Sequence, residues 1–166
     1  AFIIAWLELN KFNGVDIFKN VVDQIDQKYD GILNIKKINK KINFKNKSIL
    51  MKGSGLIDFL ISNIIQDQKI SININNCSDG ILFLPLLYKA NKIIKYLKLT
   101  YKDLNKRVNV MQIYDKKIFH RIEEGFIENN LVKIVLSNKK TNKINSNKKE
   151  LINEKIIKEN LSESLF

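Results

Sequence analysis

Cysteine and histidine are nearly missing from this sequence, with one of each, Cys77 and His120. A single cysteine cannot form a disulfide within the chain, and one Cys with one His falls short of a Cys/His zinc site. A reducing compartment is therefore expected, either nucleus and cytoplasm or the mitochondrial matrix. No apolar run approaches the roughly 20 residues needed to cross a bilayer, so no membrane partner is expected. Arginine is almost as scarce: Arg107 and Arg121 are the only two among 29 basic residues. Lysine offers a point charge where arginine offers a planar fork. The basic charge therefore suits contacts to a phosphate backbone more than the reading of base edges.

The signatures of common enzymes are absent as well. Gly53-Ser54-Gly55 is followed by no lysine, so it is not a nucleotide-hydrolysing P-loop. Asp58 stands where a dinucleotide fingerprint needs its third glycine. Asp58, Asp67 and Asp79 do not form a metal-binding string. Glu123 and Glu124 are neighbours, which fits a solvated face better than an acid–base pair. His120 has no serine or cysteine partner at a recognisable spacing. The chain is expected to be neither an enzyme nor a holder of a cofactor or metal.

What is present is size, apolar content and positive charge. The 166 residues are 45% hydrophobic, enough for one ordinary domain with a real core. A formal charge of +12 points to a polyanionic partner, with nucleic acid ahead of acidic lipid. Lys, Asn and Ile dominate the composition, the pattern of an AT-rich coding sequence, so part of the lysine excess can be compositional.

Patterning divides the chain into an N-terminal extension over 1–47, an organised domain over 48–137 and a basic tail over 138–166. In the extension, Phe2 to Leu9 reads as a buried strand. Val15, Phe18, Val22, Ile25 and Tyr29 then predict a helix, with Asn13 or Asp16 as its cap. Residues 32–47 alternate apolar and basic, either a solvated hairpin or a ribbon lying on phosphates. In the domain, Ser48 to Lys52 reads as a short strand and Leu56 to Asp67 as a helix. Ile70, Ile72 and Ile74 mark a half-buried strand. A long helix is predicted from about Pro85 to Leu99, and strands over 108–114 and 131–137. Between those strands, residues 115–130 read as a long loop. The tail is expected to be disordered, then to regain a weak helical stripe through Leu151, Ile152, Ile156 and Leu161.

Three groups of residues are candidates for contact with nucleic acid. Lys52, Gly53 and Ser54 lie at a strand-to-helix turn, which is either a generic anion site or only a chain reversal. Lys89, Lys92, Lys95, Lys98 and Lys102 recur every three or four residues, forming either a phosphate-facing stripe or the wet face of an ordinary helix. Lys116, Lys117, His120 and Arg121 surround Phe119, and basic residues interleaved with an aromatic suit stacking plus phosphate contact.

The order strand, helix, strand, helix, strand, strand is α/β, a small mixed sheet with helices on one face. Together with "ILMKGSGLIDFLISNII", "ISININNCSDG", "YKANKIIKYLK" and "VNVMQIY" with Gln112, it resembles the Alba family of chromatin and RNA-binding proteins. That family includes the Alba-like subunits of ribonuclease P and ribonuclease MRP. The resemblance covers about residues 45–137. It implies a βαβαββ domain, usually dimeric, as a homodimer or with a second Alba-like chain. Contacts would come from Lys52, Gly53 and Ser54 and from a hairpin arm carrying Lys116, Lys117 and Arg121. Unlike the family pattern, Gly80 is followed by apolar Ile81 to Leu84 rather than by a basic residue.

The expected function is a non-catalytic RNA-binding scaffold subunit of a ribonucleoprotein. An organellar ribosomal protein bound to rRNA is the second expectation, and a first residue other than Met would fit import processing. A structural subunit of a protein assembly, with Ile81 to Leu87 as its interface, is the third.

Overall fold

The computed structural model describes residues 1–25, 41–67, 69–77, 79–125, 127–139 and 149–152. Over these described residues it is a mixed α/β structure built on one seven-stranded mixed sheet with four α-helices. Tyr29, Ser78, most of the 138–149 tract and the helical stripe beyond Ile152 lie outside the described residues.

The chain opens with α1 (Phe2–Leu9), not the strand that its apolar run suggests. Short apolar runs do not separate strand from helix by pattern alone. Here the helix is selected by packing: Leu7 is fully buried, and the Trp6 ring lies 5.5 Å from that of Tyr88. Asn10 closes the helix by donating from Nδ2 to the Trp6 carbonyl at 2.8 Å. Helix α2 (Gly14–Val21) follows, with Asn13 at its N-cap position, and ends in a 3₁₀ turn over Val22–Gln24.

Strand β1 (Lys41–Asn43) comes next, within the tract whose alternation suggested a basic arm. Ser48 then starts α3 (Ile49–Asp67), so the short strand predicted over 48–52 is the first turn of a longer helix. The buried Ser48 hydroxyl accepts from the Leu50 N–H at 3.2 Å, the geometry of an N-cap. We expect Ser48→Ala to cost about 1 kcal/mol of unfolding free energy, measurable by urea titration.

Gly53, Ser54 and Gly55 are therefore mid-helix residues, not a turn. A glycine inside a helix costs about 1 kcal/mol relative to alanine. At Gly53 the reason to keep it is space. A Cβ there would sit 2.7 Å from Ile49 Cγ2 and 3.1 Å from Leu86 Cδ1. The missing side chain lets the α3 backbone press against the segment carrying Leu86.

Strand β2 (Lys69–Asn75) buries Ile70, Ile72 and Ile74 as their alternation predicts. The long second helix is not formed. In its place are a 3₁₀ segment (Gly80–Phe83), a seven-residue α4 (Leu84–Ala90) and then strand β3 (Tyr96–Lys102). Asn91 ends α4, its Nδ2 donating to the Ile94 carbonyl at 2.8 Å. Beyond it, "YLKLTYK" has strand residues at a period of two, and Leu97, Leu99 and Tyr101 are buried.

Strands β4 (Val108–Tyr114), β5 (Lys117–Glu123), β6 (Val132–Ser137) and β7 (Lys149–Ile152) complete the sheet in the order β1-β2-β6-β3-β4-β5-β7. All neighbours are antiparallel except β1 and β2, which are parallel and joined through α3. From β1 to β6 the described order is thus strand, helix, strand, helix and four strands. Strands β1, β3 and β5 are additional to the predicted elements, the strand predicted over 48–52 is not formed, and β6 sits between β2 and β3. The regions read as extensions each supply an edge strand, β1 and β7.

One face of the sheet carries Ile70, Ile72, Ile74, Leu97, Leu99, Met111, Ile113, Ile134 and Leu136, all in the core with α3, the 3₁₀ segment and α4. At about 25 cal/mol per Å² of apolar surface removed from water, each fully buried Leu or Ile contributes roughly 2 kcal/mol. Ile81, Leu82, Phe83, Leu84 and Leu87 belong to this core. They are consequently not the exposed partner surface that their run of apolar residues suggested. Among the described residues no helix is long and apolar enough to cross a membrane.

Candidate nucleic-acid interface

The opposite face of the sheet is built by the alternate residues of the same strands. Register places Tyr96 opposite Tyr114, Lys98 opposite Gln112 and Thr100 opposite Val110 across β3 and β4. Across β4 and β5 it places Gln112 opposite Phe119 and Val110 opposite Arg121. Because side chains alternate along a strand, Tyr96, Lys98, Gln112, Tyr114, Phe119 and Arg121 share this face.

Three of these side chains form an aromatic row. The Tyr96 and Tyr114 rings are 6.3 Å apart at 27°, and the Tyr114 and Phe119 rings 4.6 Å apart at 10°. Such cross-strand aromatic pairs are favourable for the sheet itself. Lys117 and Arg121 lie two positions either side of Phe119 on the same strand face. Tyr114, Phe119, Lys117 and Arg121 are half-buried, whereas Tyr96 and Gln112 are buried.

The polar groups around the row are unevenly satisfied. Gln112 donates from Nε2 to the Tyr96 hydroxyl at 2.7 Å. Arg121 pairs with Glu123 through Nη2, and Lys117 Nζ lies 3.3 Å from Glu150 Oε2. Among the described residues, buried Gln112 Oε1, the Tyr114 hydroxyl and Arg121 Nε have no hydrogen-bond partner. Burial pushes the Tyr96 hydroxyl above the usual tyrosine range, against the Gln112 hydrogen bond and the Arg121 charge. Burial likewise holds the Lys98 ammonium below the usual lysine range, with Glu123 opposing and Arg121 and Lys133 reinforcing.

No family model, no curated protein and no solved structure matches this chain. The interface therefore rests on its own geometry.

The residues singled out from sequence fall into separate places. Lys116, Lys117 and Arg121 stay together on the β4–β5 hairpin, but on a turn and a strand rather than in a long loop. The turn is two residues, Asp115 and Lys116, both left-handed with φ of 48° and 56°. It is braced from α4: the Lys116 N–H donates to Asn91 Oδ1 at 2.9 Å, and the Tyr88 hydroxyl donates to the Lys116 carbonyl at 3.3 Å.

His120 belongs to the other face. Its Nε2 lies 2.9 Å from Asn109 Oδ1. Asn109 Nδ2 already donates to the Arg107 carbonyl, so the imidazole donates to Oδ1. Burial, then the nearby Arg107 charge, holds His120 below the usual histidine range and favours the neutral ring. It does not join the cationic group around Phe119.

Ser54, Lys89 and Lys92 line a cleft of about 320 Å³ between α3 and α4, with Ile57, Leu86 and Ile93. Lys52 and buried Gly53 lie on the same helix, away from the aromatic row. The five lysines read as one helical stripe are dispersed: Lys89 is on α4, Lys92 and Lys95 in the following turn, and Lys98 and Lys102 on β3. Lys89 Nζ stands 5.9 Å from the Phe2 ring centroid, and Lys102 donates to Asn129 Oδ1 at 3.2 Å. Both arginines are engaged within the chain, Arg107 with Asp103 and Arg121 with Glu123.

Tyr96 and Tyr114 were not candidates from sequence, and Lys98 was placed on a helical stripe rather than on this sheet face. The signal lay in "YLKLTYK", where a strand period of two places Tyr96, Lys98 and Thr100 on one side. A helical period across the same residues hid it. Among the described residues no group of three or more His, Cys, Asp and Glu side chains could hold a metal ion.

Proposed function

We propose that this protein is a non-catalytic RNA-binding scaffold subunit of a ribonucleoprotein, and that it binds through the β3–β4–β5 face and its hairpin. The observation that carries the reading is the aromatic row Tyr96–Tyr114–Phe119 flanked by Lys117 and Arg121. Stacked rings beside cations are what a sequence-tolerant single-strand interface needs. The charge of +12 supplies the long-range attraction. If the resemblance to an Alba-like domain over about residues 45–137 holds, a second, similar chain would be the natural partner. The hairpin assignment does not depend on it.

Counterion release gives the test. Each single-strand phosphate neutralised contributes a slope of about −0.7 to log affinity against log salt. Titrating the protein with a fluorescent single-stranded RNA at several salt concentrations is expected to give a slope of about −2 or steeper. No measurable binding at low salt would overturn the reading, and so would binding that salt leaves unchanged.

A further inference from the structure

The three buried polar atoms without a partner among the described residues are not scattered. Gln112 Oε1, the Tyr114 hydroxyl and Arg121 Nε all belong to side chains of the aromatic face, on the adjacent strands β4 and β5. Gln112 is 8% exposed, so its free end is a nearly complete orphan. An unmet donor or acceptor in such a place costs as much as a lost hydrogen bond, and native structures retain few of them. Turning the Gln112 amide over exchanges donor for acceptor, yet one end still serves Tyr96 and the other still lacks a partner.

The chemistry of an occupant follows from the set. Arg121 Nε and the Tyr114 hydroxyl each have a proton to donate, and Gln112 Oε1 requires one. An ionised phosphate offers acceptors only, so it satisfies part of the set and gains nothing from the rings. A nucleobase edge sets a donor beside an acceptor, and its flat ring stacks on aromatic faces. In a duplex those edges are paired and those faces covered.

We infer that this face seats an unpaired RNA base, its ring against the Tyr114–Phe119 stack, and that Gln112 and Arg121, whose unpartnered atoms have almost no accessible surface in the unbound chain, turn outward to meet its edge. This rests on the RNA-binding reading above and narrows it: the ligand is single-stranded RNA, not duplex.

The test compares one RNA sequence as a single strand and as a blunt duplex, at equal salt, with the full chain and two variants. Phe119→Leu keeps apolar bulk and removes the ring. Arg121→Lys keeps the charge and removes Nε. The single strand is expected to bind about tenfold tighter than the duplex. Each variant is expected to lose about tenfold for the single strand, with duplex affinity and the salt slope unchanged. Thermal unfolding identifies a variant that fails to fold, and the other then decides. Equal affinity for the two RNAs overturns the base seat while RNA binding stands. So does unaltered single-strand affinity in a folded variant. Absence of binding to either RNA at low salt overturns the RNA-binding reading and this inference with it.

Discussion

Replacing Gly80 with alanine is expected to lower the unfolding free energy by about 3 kcal/mol, the upper part of the range for overpacked cores. Gly80 opens the 3₁₀ segment and lies directly against the sheet. A Cβ at this position would stand 2.5 Å from Tyr101 Cβ and 2.9 Å from both Tyr101 Cγ and Val132 Cγ2. Tyr101 Cβ is fixed to β3, which is hydrogen-bonded on one side to β4 and on the other to β6, so it has no room to retreat. The alternative is for the 3₁₀ segment to lift, drawing buried Leu82 and Phe83 with it. Through the unfolded chain alone, the same exchange would stabilise by roughly 0.4–1 kcal/mol. A net loss would therefore report the collision. Gly125 provides the control: apart from its chain neighbours, no described residue lies within 4 Å of a Cβ placed there. Urea unfolding of the two alanine variants should show a large drop in midpoint for Gly80→Ala and almost none for Gly125→Ala. Equal midpoints would mean that the 3₁₀ segment does not press on β3.

Neutralising Lys116, Lys117 and Arg121 together is expected to weaken RNA binding about twentyfold near 0.1 M salt. Three cations lying along a single strand, Arg121 meeting a base edge as well through Nε, are worth about two decades of affinity at that salt. Two of the cations must first give up carboxylates, Lys117 leaving Glu150 and Arg121 leaving Glu123. Partly exposed pairs of this kind are worth about 0.5 kcal/mol each, and their loss on binding offsets part of the gain. The Lys116 and Lys117 part of the loss should be nearly uniform across RNA sequences, because a point charge on a phosphate carries no base information, whereas Arg121, placed on a base edge, accounts for any sequence-dependent part. Filter binding with several unrelated single strands would check it. An unchanged affinity would remove the hairpin from the interface.

How much of this was legible in the sequence depended on whether a segment's pattern had a single solution. "KISININN" alternates strictly and "VNVMQIY" is β-branched and aromatic, and both are strands over the residues expected. Asn13 does stand before α2, but its side chain makes no capping hydrogen bond, and the Val15 N–H is taken by Glu8 Oε2 instead. The failures have distinct causes. Phe2 to Leu9 and Ser48 to Lys52 are apolar runs that either element could use, and packing against Tyr88 and Leu86 made both helical. Gly53 looked like punctuation because glycine breaks most helices, whereas here it is the place where α3 meets its neighbour. The 85–99 run satisfied a helical period only because Asn91, which ends α4, was read as one more polar position. Strand β5 was taken for a loop because Asp115-Lys116 is not the Asn-Gly or Asp-Gly pair that announces a two-residue hairpin. The cationic residues near Phe119 were legible, since they lie within six positions of each other. Tyr96 and Tyr114 were not, because only the pairing of β3 with β4 brings them together.

The sheet's outermost strands have one more consequence, for solubility. Its two margins are its shortest strands, three residues of β1 and four of β7, and each begins with a lysine. A long unpaired margin offers a row of open N–H and C=O groups to any neighbouring molecule, while a short, charged one offers little. Removing β7 would bare the seven-residue β5, with Ile122 already 53% exposed, as a template for adding strands from other copies. The few residues of 149–152 thus cover the β5 edge against strand addition from other copies.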